Sequence, residues 1–162
     1  MSVILSVLIL SMLSGCGSRV KKIQEDDMKI NLTNSFNKSF MENATWYYTS
    51  SDANAIGIKV LKSELEKNGV ETNSVADYAV AYITANQIKG ASEVQTAATE
   101  AGQDYVFFEY EHKAKDKEFS YLNCFYDNKD EYWIVSFACY KDAYQSFKND
   151  FVKYAASVTF EN

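Results

Sequence analysis

The run Tyr132-Trp133-Ile134-Val135-Ser136-Phe137-Ala138-Cys139 is apolar on both faces of a pleated strand. Successive strand side chains point to opposite sides, so a half-exposed strand alternates apolar with polar residues. This run does not alternate. The middle of its sheet must be covered on both sides, and the helices of the chain must supply the covers.

Two further strand runs lead into it, Tyr105 to His112 and Glu118 to Tyr126, and the third spans Glu131 to Tyr140. Short polar linkers, Lys113 to Lys117 and Asp127 to Asp130, join them as an antiparallel meander. Upstream, Lys29 to Thr33 is a short strand, and Phe36 to Met41 is a loop or partial strand. Thr45 to Thr49 is rich in β-formers, and Ser51 to Asn54 turns the chain into a strand from Ala55 to Leu61. Lys62 to Asn68 reads as one or two helical turns ended by Gly69. Ser74 and Asp77 form a capping pair before a helix that carries Val75, Tyr78, Ala79, Tyr82 and Ile83 at helical spacing. That helix should stop before Gly90. Glu93 to Thr99 reads as a strand and Glu100 to Gln103 as a turn. Asp142 is placed to cap a last helix with Tyr144, Phe147, Phe151, Tyr154 and Ala155 along one face. Val158 to Phe160 closes the domain. The fold class is α+β: an antiparallel sheet covered by helices in an α/β/α sandwich.

The order of elements resembles the PsbP-like superfamily. Trp46-Tyr47-Tyr48, the helix start Asn73 to Ala79, Tyr105 to Glu111, Trp133 to Cys139 and the last helix carry the resemblance, which covers about residues 29–160. That superfamily includes an extrinsic photosystem II protein, a Ran-binding import factor and envelope lipoproteins of the DcrB type. The resemblance implies a small binding or assembly module and carries no site residue across, because one fold serves unrelated functions.

The N-terminus carries a second resemblance. An apolar run from Val3 to Leu13 ends in Leu13-Ser14-Gly15-Cys16. The run is shorter than the roughly 20 residues that span a bilayer and fits a signal-peptide core. The sequence resembles the lipobox of bacterial lipoproteins. The resemblance implies a signal peptide over 1–15, a diacylglycerol on Cys16, and a protein anchored at the extracytoplasmic face of the cell membrane. Two acyl chains give stable anchoring at about 0.8 kcal/mol per buried CH₂. Residues 16–28 then read as the lipidated cysteine and a flexible tether, and 29–162 as a single domain. In a bacterial host the sequons at Asn31, Asn37 and Asn43 carry no weight.

Charge and composition narrow the function. The formal charge is −6, and the segment 1–15 has no charged side chain. An acidic domain gains nothing from counterion release, so no nucleic-acid partner is expected. Anionic head groups repel it, so the lipid and not the protein surface must hold it to the membrane. Proline is absent, and the 12 tyrosines read as codon bias and core packing rather than as a sticky surface.

The chemical inventory is thin. Across a tight hairpin Cys124 should lie opposite residue 134 or 135 and Cys139 opposite 119 or 120, about 15 Å out of register. That weighs against a disulfide, and both read as buried thiols. The one histidine, His112, ends a strand with no serine elbow to serve. Glu109 and Glu111 share a strand face while His112 points away, so these three do not converge on a metal. Trp46 and Trp133 read as core rather than as a sugar platform. No catalytic, cofactor-binding or metal site is expected. The expected function is a non-catalytic, lipid-anchored envelope protein that binds or assembles with another envelope protein. The alternative is an extracytoplasmic module for a glycan, peptide or metal.

Overall fold

The computed structural model describes residues 19–161. The signal segment and Cys16 lie outside them. The elements in chain order are β1 (Val20–Glu25), β2 (Met28–Thr33), β3 (Asn37–Ser39), β4 (Trp46–Thr49) and β5 (Ala53–Leu61), then α1 (Lys62–Lys67) and α2 (Val75–Ala85). They continue with β6 (Gln95–Ala98), β7 (Asp104–Ala114), β8 (Lys117–Asn128), β9 (Glu131–Tyr140), α3 (Tyr144–Ala156) and β10 (Thr159–Phe160). Seven strands form the main sheet in the order β3-β4-β5-β9-β8-β7-β6, and β1-β2-β10 form a second sheet. All strand pairs are antiparallel.

The order explains the covers. From β5 the chain leaves through α1 and α2, reaches the far edge at β6, and returns as a meander until β9 lies beside β5. Helix α2 thereby crosses one face, where Tyr78 and Ala79 pack with Val106, Phe108, Phe125, Tyr132 and Ile134. On the other face Trp133, Val135, Phe137 and Cys139 of β9 meet Phe151, Tyr154 and Ala155 of α3 and Ile23, Met28, Ile30 and Leu32 of the second sheet. The α/β/α class holds. One cover, however, is shared between a helix and a small sheet. Alternation in Met28 to Thr33 marks a half-buried strand but not the sheet it joins.

The meander has the expected register. Cys124 lies opposite Val135 and Cys139 opposite Ser120, and both cysteines are free and buried. Two-residue turns close both hairpins, with Lys115 and Lys129 at positive φ. The expected linker at Lys113 to Lys117 is thus mostly strand, because β-pairing continues to a tight turn. At the end of α1, Gly69 at φ 73° lets its N–H reach Glu66 O at 3.0 Å while Val70 N–H reaches Leu65 O at 2.9 Å. This Schellman closure satisfies carbonyls that the helix end leaves open. Ser74 Oγ accepts from Asp77 N–H at 3.1 Å, and the Asp77 carboxylate accepts from Asn73 N–H at 3.1 Å.

Two expectations are corrected. The tether expected over 16–28 is in part a strand. Val20–Glu25 pairs with β2 along its whole length, and Ile23 is 3% exposed. A strand needs only one inward side chain when its neighbour supplies the hydrogen bonds, so the mixed charge of this segment hid it. Asp142 does not cap α3. It sits in a 3₁₀ turn, Lys141–Ala143, that runs straight into the helix, and Ala143 takes the N-cap position without a side-chain bond.

Polar contacts tie the two sheets together, and several of them gather on Glu25. Tyr48 of β4 donates to Glu25 Oε1 at 2.6 Å, and Lys38 of β3 donates to the same carboxylate at 2.6 and 2.8 Å. Burial pushes the Glu25 pKa up, but the bonds from Lys38 and Tyr48 outweigh it and hold the carboxyl below its ordinary value. Beside it, the Trp46 ring lies flat on Gly57, its cross-strand partner. A Cβ at Gly57 would sit 2.0 Å from the ring.

Gly57→Ala should therefore lower stability by roughly 3 kcal/mol or more through forced displacement of Trp46; a thermal melt unchanged from wild type would refute the packing described. Tyr48→Phe should cost about 1.5–3 kcal/mol near neutral pH, the range for a bond to a charged group. Because the folded Glu25 pKa is depressed, its contribution is full above the unfolded value and disappears as pH falls through the folded one. The difference between wild type and Tyr48→Phe in urea titrations should accordingly shrink below about pH 4.

Candidate functional site

The α2 face of the main sheet is only half covered. Helix α2 lies over Val106, Phe108, Phe125, Tyr132 and Ile134. On the same face, alternation places Tyr47, Asn54, Ile56, Tyr121, Asn123, Ser136 and Ala138 outside that cluster. Tyr47, Ile56 and Tyr121 are half-buried, and Ala138 is buried beneath its neighbours. Tyr110 and Tyr121 are cross-strand partners whose rings stack at 4.6 Å. Tyr47 donates to Asn54 Oδ1 at 3.2 Å. In the floor, Asn123 Oδ1 accepts from Ser136 Oγ at 2.5 Å, while its Nδ2 has no partner among the described residues. Phe119 and Tyr140 extend the aromatic row at 5.1 Å, with the Lys117 ammonium over the Tyr140 ring. The result is a tyrosine-rich surface with amide and hydroxyl groups between the rings.

Burial pushes the Tyr47, Tyr110 and Tyr121 pKa values up. These phenols stay neutral and keep their O–H donors at any physiological pH. None is placed as a general base.

Beyond the end of β6, two hollows flank β7. One, of about 630 Å³, lies on the α3 side and includes Glu109, Glu111, Ser120 and Tyr144 in its lining. The other, of about 450 Å³, lies on the α2 side and includes Tyr82, Tyr110, His112 and Lys113. Lys89 and Glu111 line both.

The singled-out polar residues can now be placed. Glu109 accepts from Tyr144 Oη at 2.7 Å and from Lys148 Nζ at 2.8 Å. Glu111 pairs with Lys141 at 2.7 Å. His112 is exposed and points to the opposite face. Strand alternation separates the three as read. Glu109 is half-buried under α3 and ion-paired there with Lys148. No group of three or more His, Cys, Asp or Glu side chains converges among the described residues. Trp46 and Trp133 are 2% and 0% exposed and belong to the core. Desolvation raises the Cys139 thiol to about 11 and pushes Cys124 higher still. The half-open tyrosine face was not read from sequence. Its one signal was the excess of tyrosine, which composition alone could not divide between core and surface.

No protein-family model and no curated protein sequence matches the chain. Solved structures do. The cyanobacterial PsbP protein (CyanoP) of Synechocystis superposes with a TM-score of 0.65 at 16% identity, over 94% of this chain and 99% of that one. The Ran-binding protein Mog1p of Saccharomyces cerevisiae matches with a TM-score of 0.57 at 7% identity, over 89% and 96%. A protein of unknown function from Pseudomonas aeruginosa matches with a TM-score of 0.54 at 8% identity, over 88% and 98%. The chain has the PsbP-like fold. At these identities the likeness speaks of the fold alone.

With both thiols shut in and un-ionised, neither should react with iodoacetamide in the native Cys16→Ser protein at pH 8, and both should react in denaturant. Mass spectrometry of the intact protein reads this directly. A native adduct on Cys124 would contradict the packing of β8.

Proposed function

We propose that this chain is a lipid-anchored cell-envelope protein whose domain binds another protein and performs no catalysis. The observation that carries the reading is the half-covered sheet face around Tyr47, Ile56 and Tyr121, beside a polar inventory whose members are engaged in structural contacts. Tyrosine supplies large contact area at low entropic cost and keeps a hydrogen-bonding tip, which suits a protein interface. The name of one protein of this fold, Mog1p, describes it as Ran-binding, which supports an interaction role without naming a partner here.

The anchor rests on the lipobox. A diacylglycerol on Cys16 would hold the protein on the extracytoplasmic face of the cell membrane. Since β1 begins at Val20, three residues, Gly17 to Arg19, separate the anchored cysteine from the β1–β2 sheet. The domain would then sit close against the bilayer, its orientation set by that sheet. No described helix is long and apolar enough to cross a membrane. A second reading is capture of a glycan on the same face, where the Tyr110 and Tyr121 rings stack at 4.6 Å.

The test is cross-linking in cells with a photoreactive residue in place of Tyr121, and another in place of Val152 on the outer side of α3 as control. A discrete adduct at Tyr121 that disappears when Cys16→Ser abolishes anchoring is the expected result. A membrane-bound protein with no adduct at either position would overturn the protein-binding reading in favour of small-ligand capture.

A further inference from the structure

Strand β7 has an unpaired edge. In antiparallel pairing both main-chain groups of alternate residues point to the same side. Gln95 lies opposite Phe107 and Ala97 opposite Tyr105, while Thr99 N–H donates to Gln103 O at 2.8 Å. Glu109 O accepts from Ser92 N–H at 2.8 Å, and Glu109 N–H donates to Ser92 Oγ at 3.0 Å. Odd-numbered residues of β7 thus turn their main chain outward. Glu111 and Lys113 continue the series past Gln95, the first residue of β6, and past Ser92. Their N–H and C=O groups have no partner on that side among the described residues. Exposed strand edges of this kind are templates for another chain.

The edge lies between the two hollows, one on each face of the sheet. An added strand places alternate side chains on opposite faces. A segment laid along Glu111 and Lys113 would send one set into the hollow beside Tyr144 and the other into the hollow beside His112 and Tyr82. The charge there is specific. Lys89 and Lys113 form no ion pair among the described residues, whereas the carboxylate they flank, Glu111, is held by Lys141. Two lysines without ion pairs, Lys89 and Lys113, thus stand at this edge in a chain whose net charge is −6.

We propose that β7 accepts an extended segment of a partner protein as an added strand over Glu111 and Lys113, with an acidic side chain of that segment seated between Lys89 and Lys113. This deepens the protein-binding reading and rests on it. A second copy of this chain would set its own Glu111 opposite Lys113, but that carboxylate is already held by Lys141 and leaves Lys89 unanswered. Main-chain bonds give the affinity in such strand addition, and the flanking hollows give the selectivity.

The experiment uses the full lipidated chain in nanodiscs with two labelled octapeptides, one alternating Val and Asp, the other Val and Lys. Fluorescence anisotropy reads affinity, and hydrogen–deuterium exchange locates the protected amides. The Val–Asp peptide should bind, slow exchange over residues 109–114, and outcompete the Val–Lys peptide. Lys113→Pro removes an outward N–H without touching the β8 ladder and should weaken binding about tenfold. If that variant is misfolded by circular dichroism, Lys89→Glu with Lys113→Glu tests the charge, and should reverse the preference between the peptides. Equal binding of both peptides, protection confined to the Tyr47–Tyr121 face, or unchanged affinity in both variants would overturn the proposal. So would a concentration-dependent dimer abolished by Lys113→Pro. If peptide binding fails while a Tyr121 cross-link persists, the edge proposal falls and the protein-binding reading stands. If both fail, both fall.

Discussion

From Tyr132 to Val135, strand β9 has no face that water can solvate, and most of the architecture follows from that constraint. Tyr132, Trp133, Ile134, Val135 and Phe137 are all at most 2% exposed. At roughly 25 cal/mol per Å² of apolar area removed from water, leaving either side uncovered would forfeit several kcal/mol per aromatic residue pair. The chain answers on one side with α2, carried there by the crossover from β5 to β6. On the other it answers with α3 and the three-stranded sheet. That second cover joins the two ends of the domain: β10 pairs with β2, and Glu161 N–H donates to Asp27 O at 2.8 Å. Whatever pulls on residue 20 pulls on a sheet that also holds the C-terminus.

The polar groups serve this same architecture. The Glu25 carboxylate joins β1 to β3 and β4, Glu109 joins β7 to α3, and Asp26 joins the β1–β2 turn to Lys59 of β5. Tyr126 donates to Ala155 O at 2.8 Å, fixing α3 on the sheet. Side chains engaged in this way have little left for proton transfer. Two stretches of surface stay open: a tyrosine row where α2 stops short, and an unpaired strand edge where β6 stops short. Both arise because a covering element is shorter than the sheet it covers.

Much of the framework was legible locally. The β7–β8–β9 register followed from run length and turn chemistry, and with it the separation of Cys124 from Cys139. Ser74 and Gly69 act as read because capping depends on near neighbours alone. Glu109 and His112 fall on opposite faces because strand alternation is covalent geometry. Beyond that range the reading failed in instructive places. The charged residues of Val20–Glu25 suggested a tether, since a strand held by its neighbour's hydrogen bonds needs no apolar alternation of its own. Asp142 had the right identity for a cap, but the chain leaves β9 through a 3₁₀ turn and never presents it to the helix.

Residue order by itself determined the strands, the helices, the hairpin register and the need for cover on both sides of β9, because each depends on side-chain periodicity or on contacts a few residues apart. Tertiary structure alone decided that β2 pairs with β1 and β10 and not with the main sheet, how far α2 reaches across its face, and which length of β7 stays unpaired. These are outcomes of non-local pairing and of the relative lengths of packed elements. No local pattern encodes them, and the candidate interaction surfaces arise from them.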